Sequence, residues 1–154
     1  MVRQVAEAKA LADVQCGALD QLALAEFIAS GGYDRHVRRS RLAYRRRRDR
    51  LVAALRREVP HVRVTGIAAG LHVLCELAPG QREDEVVARA ARRGLAVGAL
   101  GSYRAGAATE RDGRAALVVG YGTPPEHAFT GAVARLCAVL RDQSPPPRAV
   151  AVPE

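Results

Sequence analysis

Tryptophan, lysine and cysteine are absent or scarce in this sequence, and the pattern of the cysteines excludes two kinds of site. It has no tryptophan, a single lysine (Lys9), and three cysteines, Cys16, Cys75 and Cys137. Because the cysteines are odd in number, widely spaced and without a CxxC pair, they predict neither a disulfide framework nor a zinc site. We therefore expect reduced, buried thiols and a cytoplasmic protein.

Signals for a membrane anchor or a metal centre are also missing. No apolar run reaches the roughly 18 residues that a membrane-spanning helix needs. The N-terminal stretch is amphipathic and contains acids, which argues against a signal peptide. The four histidines lie in four separate segments, without the spacing of metal ligands. We expect no metal site in this chain.

The positive charge of the chain is confined to one segment. Residues 35–50 contain nine arginines and one acid, Asp49, so this segment alone accounts for the formal net charge of +8. It is either an electrostatic footprint for nucleic acid or another polyanion, or the solvated flank of a long helix. The near absence of lysine weakens the view that arginine was selected for phosphate contacts. The residues of this candidate basic helix face are Arg38, Arg45, Arg46, Arg47 and Arg48.

The N-terminal part of the chain has helical periodicity. Residues 3–13 and 19–29 are predicted to be helices, and the second is apolar on nearly all sides, so it needs burial against several neighbours. Ser30-Gly31-Gly32 is a typical helix end. A helix of about 25 residues is then predicted from Asp34 to Glu58. Its apolar seam consists of Val37, Tyr44, Leu51 and Leu55.

From residue 61 the pattern changes to a small α/β domain. Two strands, HVRVTG and GLHVLCEL, are predicted to pair antiparallel. A helix over 83–93, a strand LAVGAL, a loop over 101–113 and a strand RAALVVGYG follow. The last helix is predicted to begin at Thr123-Pro124-Pro125-Glu126, with a cap, a proline at its first position and an early acid.

The predicted fold class is therefore α/β: long N-terminal helices followed by a small β-β-α-β-β-α sandwich. We divide the chain into a helical segment over 1–59, a small α/β domain over 60–143, and a proline-rich, disordered tail over 144–154.

Four segments carry a family resemblance because they occur in the same order and spacing. They are QLALAEFIASGGYDRHVRRSRLAYRRRRDRLVAAL, VTGIAAGLHVLCEL, EDEVVARAARRGLAVGALGSYR and ALVVGYGTPPEHAFTGAVARL. Together they resemble the region after the cofactor lysine in fold-type-I (class I/II) aminotransferase-like proteins. The resemblance is closest to the aminotransferase-like half of MocR-type regulators of the GntR family, and it covers roughly residues 3–141. It implies that the helical segment connects domains and that the sandwich is the C-terminal, small domain.

The resemblance also implies a pyridoxal phosphate (PLP) cofactor on a large domain, but this chain departs from the family at two positions. Lys9 lies in a helical run and does not match the cofactor lysine, so we expect no cofactor bound to this chain alone. Val118 stands where the family places an arginine that binds the substrate carboxylate. The nearest basic candidate for a ligand contact is Arg104.

The sequence thus predicts a C-terminal fragment of an effector-sensing, aminotransferase-like domain of a transcriptional regulator. It lacks the cofactor lysine and the DNA-binding domain, and it is not expected to be active alone. Expected partners are a missing large domain or partner chain and, in the intact form, a second copy; direct DNA binding is not expected. The alternatives are a fragment or subunit of a class I/II aminotransferase, and a stand-alone basic module that binds nucleic acid through Arg35–Arg50.

Overall fold

A computed structural model describes residues 2–12, 17–67, 70–103 and 114–142. The chain divides into two compact units, Met1–Leu42 and Ala43–Glu154. The last turns of the long helix provide core residues for the second unit. The domain division at 59/60 stays a prediction. Residues 104–113 of the predicted loop and the predicted tail over 144–154 lie outside the described residues.

The first unit is helical. It contains α1 (Val2–Ala12), α2 (Ala18–Ala29) and the beginning of α3 (Gly32–Glu58). Gly31 has φ +68°, a left-handed conformation that glycine adopts without strain, so the predicted end of α2 is confirmed. A Cβ on Gly32 would lie 2.6 Å from the Phe27 ring, which requires glycine at this tight corner. All three predicted helices are therefore present.

The second unit contains a four-stranded antiparallel sheet. Its strands are β1 (Arg63–Thr65), β2 (His72–Glu76), β3 (Gly98–Ala99) and β4 (Ala116–Gly120), in the spatial order β1-β2-β4-β3. The pairings of β1 with β2, β2 with β4 and β3 with β4 are all antiparallel. The helices of this unit are the end of α3, α4 (Glu83–Arg92) and α5 (Glu126–Arg141). The predicted α/β class and element order are confirmed.

Two local predictions need correction. The third strand is predicted to include all of LAVGAL, but β3 has two residues: residues 95–97 precede the pairing with β4, and a 3₁₀ turn over Leu100–Tyr103 ends the strand. The last helix does not begin with a Thr123 cap followed by proline at its first position. Pro125 itself occupies the cap position, with no side-chain cap bond, and Glu126 is the first helical residue.

The core lies on one face of the sheet, where strand alternation directs apolar side chains toward the helices. Val73, Cys75, Leu117 and Val119 face this side. Burying one such large apolar side chain contributes about 1.5–3 kcal/mol. The helices add the following buried residues: Leu51, Val52 and Leu55 from α3, Val86 and Ala90 from α4, and Phe129, Leu136, Cys137, Val139 and Leu140 from α5.

Candidate functional site

The structure divides the nine arginines of residues 35–50 into two groups. Arg47 and Arg48 are partly buried, whereas the others are classed as exposed. Of the candidate basic face, Arg38, Arg45 and Arg46 are therefore accessible, but Arg47 and Arg48 are not part of a solvated flank. The exposed arginines are Arg35, Arg38, Arg39, Arg41, Arg45, Arg46 and Arg50.

Arg47 connects α3 to the end of β4 and the start of α5. Its Nη1 donates to the carbonyl oxygens of Gly122 (2.9 Å) and Tyr121 (3.4 Å), and its Nε donates to Glu126 Oε2 at 3.1 Å. The guanidinium also lies 5.3 Å from the centre of the Phe129 ring. With its side chain only 13 % exposed, Arg47 is part of the fold and cannot hold a polyanion.

Arg50 reinforces the same junction from a more exposed position. It pairs with the other carboxylate oxygen of Glu126, donates to Thr130 Oγ1 at 2.9 Å, and lies 5.1 Å from the Phe129 ring centre. Hydrogen bonds from Arg50 and then Arg47 lower the pKa of the Glu126 carboxyl. Two arginine charges of the run are thus used within the fold.

Arg48 is also partly buried within the second unit. Its side chain is 24 % exposed and Nη1 lies 3.5 Å from Asp49 Oδ1. Within the described residues its buried Nε has no hydrogen-bond partner. It does not contribute a free charge comparable to that of Arg45 or Arg46.

The position expected to recognise a substrate carboxylate lies on the face of the sheet opposite the core. Val118 in β4 pairs with Leu74 in β2 and Gly98 in β3, and it is half-buried. These neighbours in the register carry no charge, so this part of the face offers no cation for a carboxylate. Arg104, the other ligand-contact candidate, lies outside the described residues.

Glu83 is a positioning residue that the sequence did not reveal. As the first residue of α4, it accepts hydrogen bonds from the backbone N–H groups of Gly101 and Ala116, both at 2.8 Å. One carboxylate thereby holds both ends of the segment between these residues. The only sequence signal is the acidic start of a helix, which indicates a dipole interaction rather than contacts 18 and 33 residues away.

Tyr121 performs a similar function at the opposite end of the sheet. Its side chain is buried, its hydroxyl donates to the Gly70 carbonyl, and its backbone N–H donates to the Leu71 carbonyl at 3.0 Å. Burial raises the pKa of the phenol. Tyr121 therefore connects Gly70 and Leu71, just before β2, to the end of β4.

The thiols and histidines give no sign of catalytic or metal-binding use. Cys75 and Cys137 are free and buried, as predicted, whereas Cys16 lies outside the described residues. Burial raises the pKa of Cys75 to about 12 and also raises that of Cys137, so neither is a reactive thiolate. In the described ranges no cluster of histidine, cysteine and acid could hold a metal ion, and no helix could span a membrane.

The residues present do not fit a covalently held PLP. That cofactor needs a lysine amine, and Lys9 is an exposed residue in the last turn of α1, within the first unit. The sequence has no second lysine. No chemical step through the cofactor is therefore assigned to this chain.

Solved structures with the same fold are PLP-dependent aminotransferases. The kynurenine aminotransferase of Pyrococcus horikoshii matches 91% of the chain with a TM-score of 0.71 and 21% identity, over 34% of its own length. LysN, the α-aminoadipate aminotransferase of Thermus thermophilus, matches 91% of the chain with a TM-score of 0.70 and 27% identity, over 35% of its length. By fold, the chain is an aminotransferase-like segment.

Sequence relatives narrow the class further. The pyridoxine biosynthesis regulator PdxR of Corynebacterium glutamicum, an HTH-type transcriptional regulator, is 34% identical over 122 residues, 78% of this chain and 25% of PdxR. The HTH-type regulator YdeL of Bacillus subtilis is 36% identical over 78 residues, 50% of this chain and 17% of YdeL. No protein-family model matches the chain. The predicted resemblance to the aminotransferase-like part of MocR-type regulators is thus confirmed, and the chain spans a quarter or less of these relatives.

Proposed function

We propose that this chain is the small-domain portion of an effector-sensing module in a transcriptional regulator. The observation that carries the proposal is how much of each protein is matched. About nine-tenths of this chain matches about one-third of an aminotransferase, and 78% of this chain matches 25% of PdxR. The remaining part of such a protein would supply the PLP-binding domain and the DNA-binding domain. Within the intact protein the chain would help to enclose the ligand.

Surface chemistry supports an additional partner. Helix α2 buries none of its residues, and Leu19, Leu22 and Phe27 are exposed, with Leu19 82 % exposed. An apolar helix on a free surface is unfavourable, so it indicates that another domain or chain covers it. We propose that the cofactor-bearing domain covers α2 and that the intact protein is a homodimer in the cytoplasm.

Ligand sensing is favoured over transamination because of the composition of the open sheet face. A transaminase that recognises amino acids benefits from a two-pronged arginine contact to the carboxylate. Val118 and its register neighbours Leu74 and Gly98 offer no such contact. The proposed role is therefore to complete and shape the ligand pocket, without carrying out the reaction.

The experiment compares this chain with a longer product of the same locus. The DNA upstream of the Met1 codon is sequenced, and any in-frame extension is expressed beside the 154-residue chain. We expect the extended protein to show the absorbance of lysine-bound PLP, unchanged by Lys9→Ala. The proposal is overturned if the 154-residue chain alone shows that absorbance and loses it on Lys9→Ala.

A further inference from the structure

The first half of α3 carries positive charges that the fold does not use. Four exposed arginines precede the division at Leu42, in a stretch with a single acid, Asp34. In the parts of the chain that the structure describes, none of the four forms an ion pair, in contrast to Arg47 and Arg50. They are Arg35, Arg38, Arg39 and Arg41.

These four arginines share one side of the helix. At roughly 100° per residue they occupy an arc of about 160°. Val37, one turn before Arg41, borders this arc, and Tyr33 lies outside it. They extend over about 9 Å of helix axis, because each residue adds about 1.5 Å. A duplex DNA axis of that length carries about five phosphates, so the charge density of the surface matches that of DNA.

The close spacing of these positive charges opposes helix formation, and no acid between Asp34 and Asp49 offsets the repulsion. Arginines at i, i+3 and i+4 repel one another and oppose helix formation. A solvated flank ordinarily alternates charges of both signs, but here no glutamate or aspartate follows Asp34 before Asp49. A phosphate backbone laid along the surface would relieve the repulsion and release condensed counterions.

We propose that the side of α3 formed by these four arginines contacts the phosphate backbone of duplex DNA. The choice of DNA rests on the proposed function in a transcriptional regulator. The proposed contact is to the phosphates, which carry no sequence information, since the spacing of the four cations along the helix axis is close to that of the backbone charges. Single strands are not favoured, because their bases stack on aromatic side chains that lie among the cations. The ring of Tyr33 instead packs edge-on against Phe27, with 6.4 Å between the ring centres. Direct DNA binding was not expected from the sequence; the four unpaired charges are the reason to propose it.

The test is a fluorescence-anisotropy titration of the full 154-residue chain with a labelled duplex of about 20 base pairs, a length that spans the surface several times over. Four phosphate contacts give a slope of log K against log salt of about −3.6, so affinity falls about a hundredfold between about 50 and 200 mM salt. Replacing all four arginines by glutamine removes that slope and weakens binding at least about tenfold at the lower salt. Glutamine keeps the helix propensity of arginine, and circular dichroism verifies it.

A matched control removes the same charge from the second unit. Four exposed arginines there are replaced by glutamine, and we expect the slope to be retained. They are Arg56, Arg63, Arg92 and Arg135.

Three results overturn the proposal. The first is an absence of DNA binding at about 50 mM salt, where four contacts suffice for measurable affinity. The second is a loss of DNA affinity in the control variant equal to that in the four-arginine variant. The third is that poly-glutamate binds as tightly as DNA and that its binding disappears when the same four arginines are replaced. The last would assign the surface to an acidic protein. All three are read on this chain without the cofactor, so they do not depend on whether a longer PLP-binding product exists.

Discussion

Replacement of Arg47 by alanine should destabilise the second unit more than any other single change in the arginine run. The side chain is 13 % exposed and donates to two backbone carbonyls and one carboxylate. Hydrogen bonds from a charged donor contribute about 1.5–3 kcal/mol each when buried, and the exposed Glu126 contact adds less than about 1 kcal/mol. Because the 3.4 Å contact is weak, we expect a total loss of about 3 kcal/mol in the free energy of unfolding.

The matched control is Arg50→Ala. Arg50 contacts the same carboxylate and the same ring, but its side chain is 48 % exposed and, within the described part of the chain, it donates to no backbone carbonyl. We expect it to cost less than about 1 kcal/mol. With a urea m-value of about 1.5 kcal/mol per molar, the midpoint falls by about 2 M for Arg47→Ala and by about 0.5 M for Arg50→Ala. Circular dichroism is the suitable probe because the chain has no tryptophan. Equal shifts in the two variants would refute the assigned role of the carbonyl contacts.

Three further predictions concern acids and thiols of the second unit. Glu83→Ala should lower the free energy of unfolding by about 2 kcal/mol, since two backbone amides lose a charged acceptor; hydrogen exchange of those amides should quicken, and unchanged exchange contradicts the role. Glu126 has a lowered pKa, so its contribution to stability is present above the ordinary value of 4.5 and is lost as pH falls through the folded pKa. The stability difference between the wild-type chain and Glu126→Gln should therefore be largest near neutrality and close on acidification; a constant difference would argue against the pairing. In a Cys16→Ser chain, Cys75 and Cys137 should react with a thiol reagent only after unfolding, because burial keeps both protonated; rapid reaction of the folded chain would contradict this.

The succession of helices and strands could be predicted because each element has a local cause. The helix α4 ends at Arg92, shortly before Gly94, whose φ of +68° permits the turn. The apolar residues of β2 and β4 are recognisable without tertiary information. The shortness of β3 was not predictable, because it depends on which residues pair with β4 and on the 3₁₀ turn that follows. The cap of α5 was misjudged because a Thr-Pro-Pro-Glu run allows more than one register, and the choice depends on where β4 ends.

The contacts of Glu83 and Tyr121 could not be predicted from local sequence patterns. Glu83 bonds to Gly101 and Ala116, and Tyr121 bonds to Gly70, 51 residues away in sequence. Such pairs follow from the sheet order, in which β4 lies between β2 and β3. Once that order is known, a carboxylate at the start of α4 is near both Gly101, just after β3, and Ala116, the first residue of β4.

The inward direction of Arg47 and Arg48, in contrast, could be predicted from the helical period. Leu51 and Leu55 define the buried side of α3, and positions three and four residues before Leu51 lie on the same side. Those positions are Arg48 and Arg47, so the apolar seam itself implies that these two cations point inward. The helical period cannot predict which group accepts the hydrogen bond from Arg47, because Glu126 is 79 residues away in sequence. A count of exposed charges on such a helix should therefore begin from its seam, which removes Arg47 and Arg48 from a polyanion surface and leaves Arg35, Arg38 and Arg39 in place. Arg41 borders the seam, one turn after Val37, and its exposure is known only from the structure.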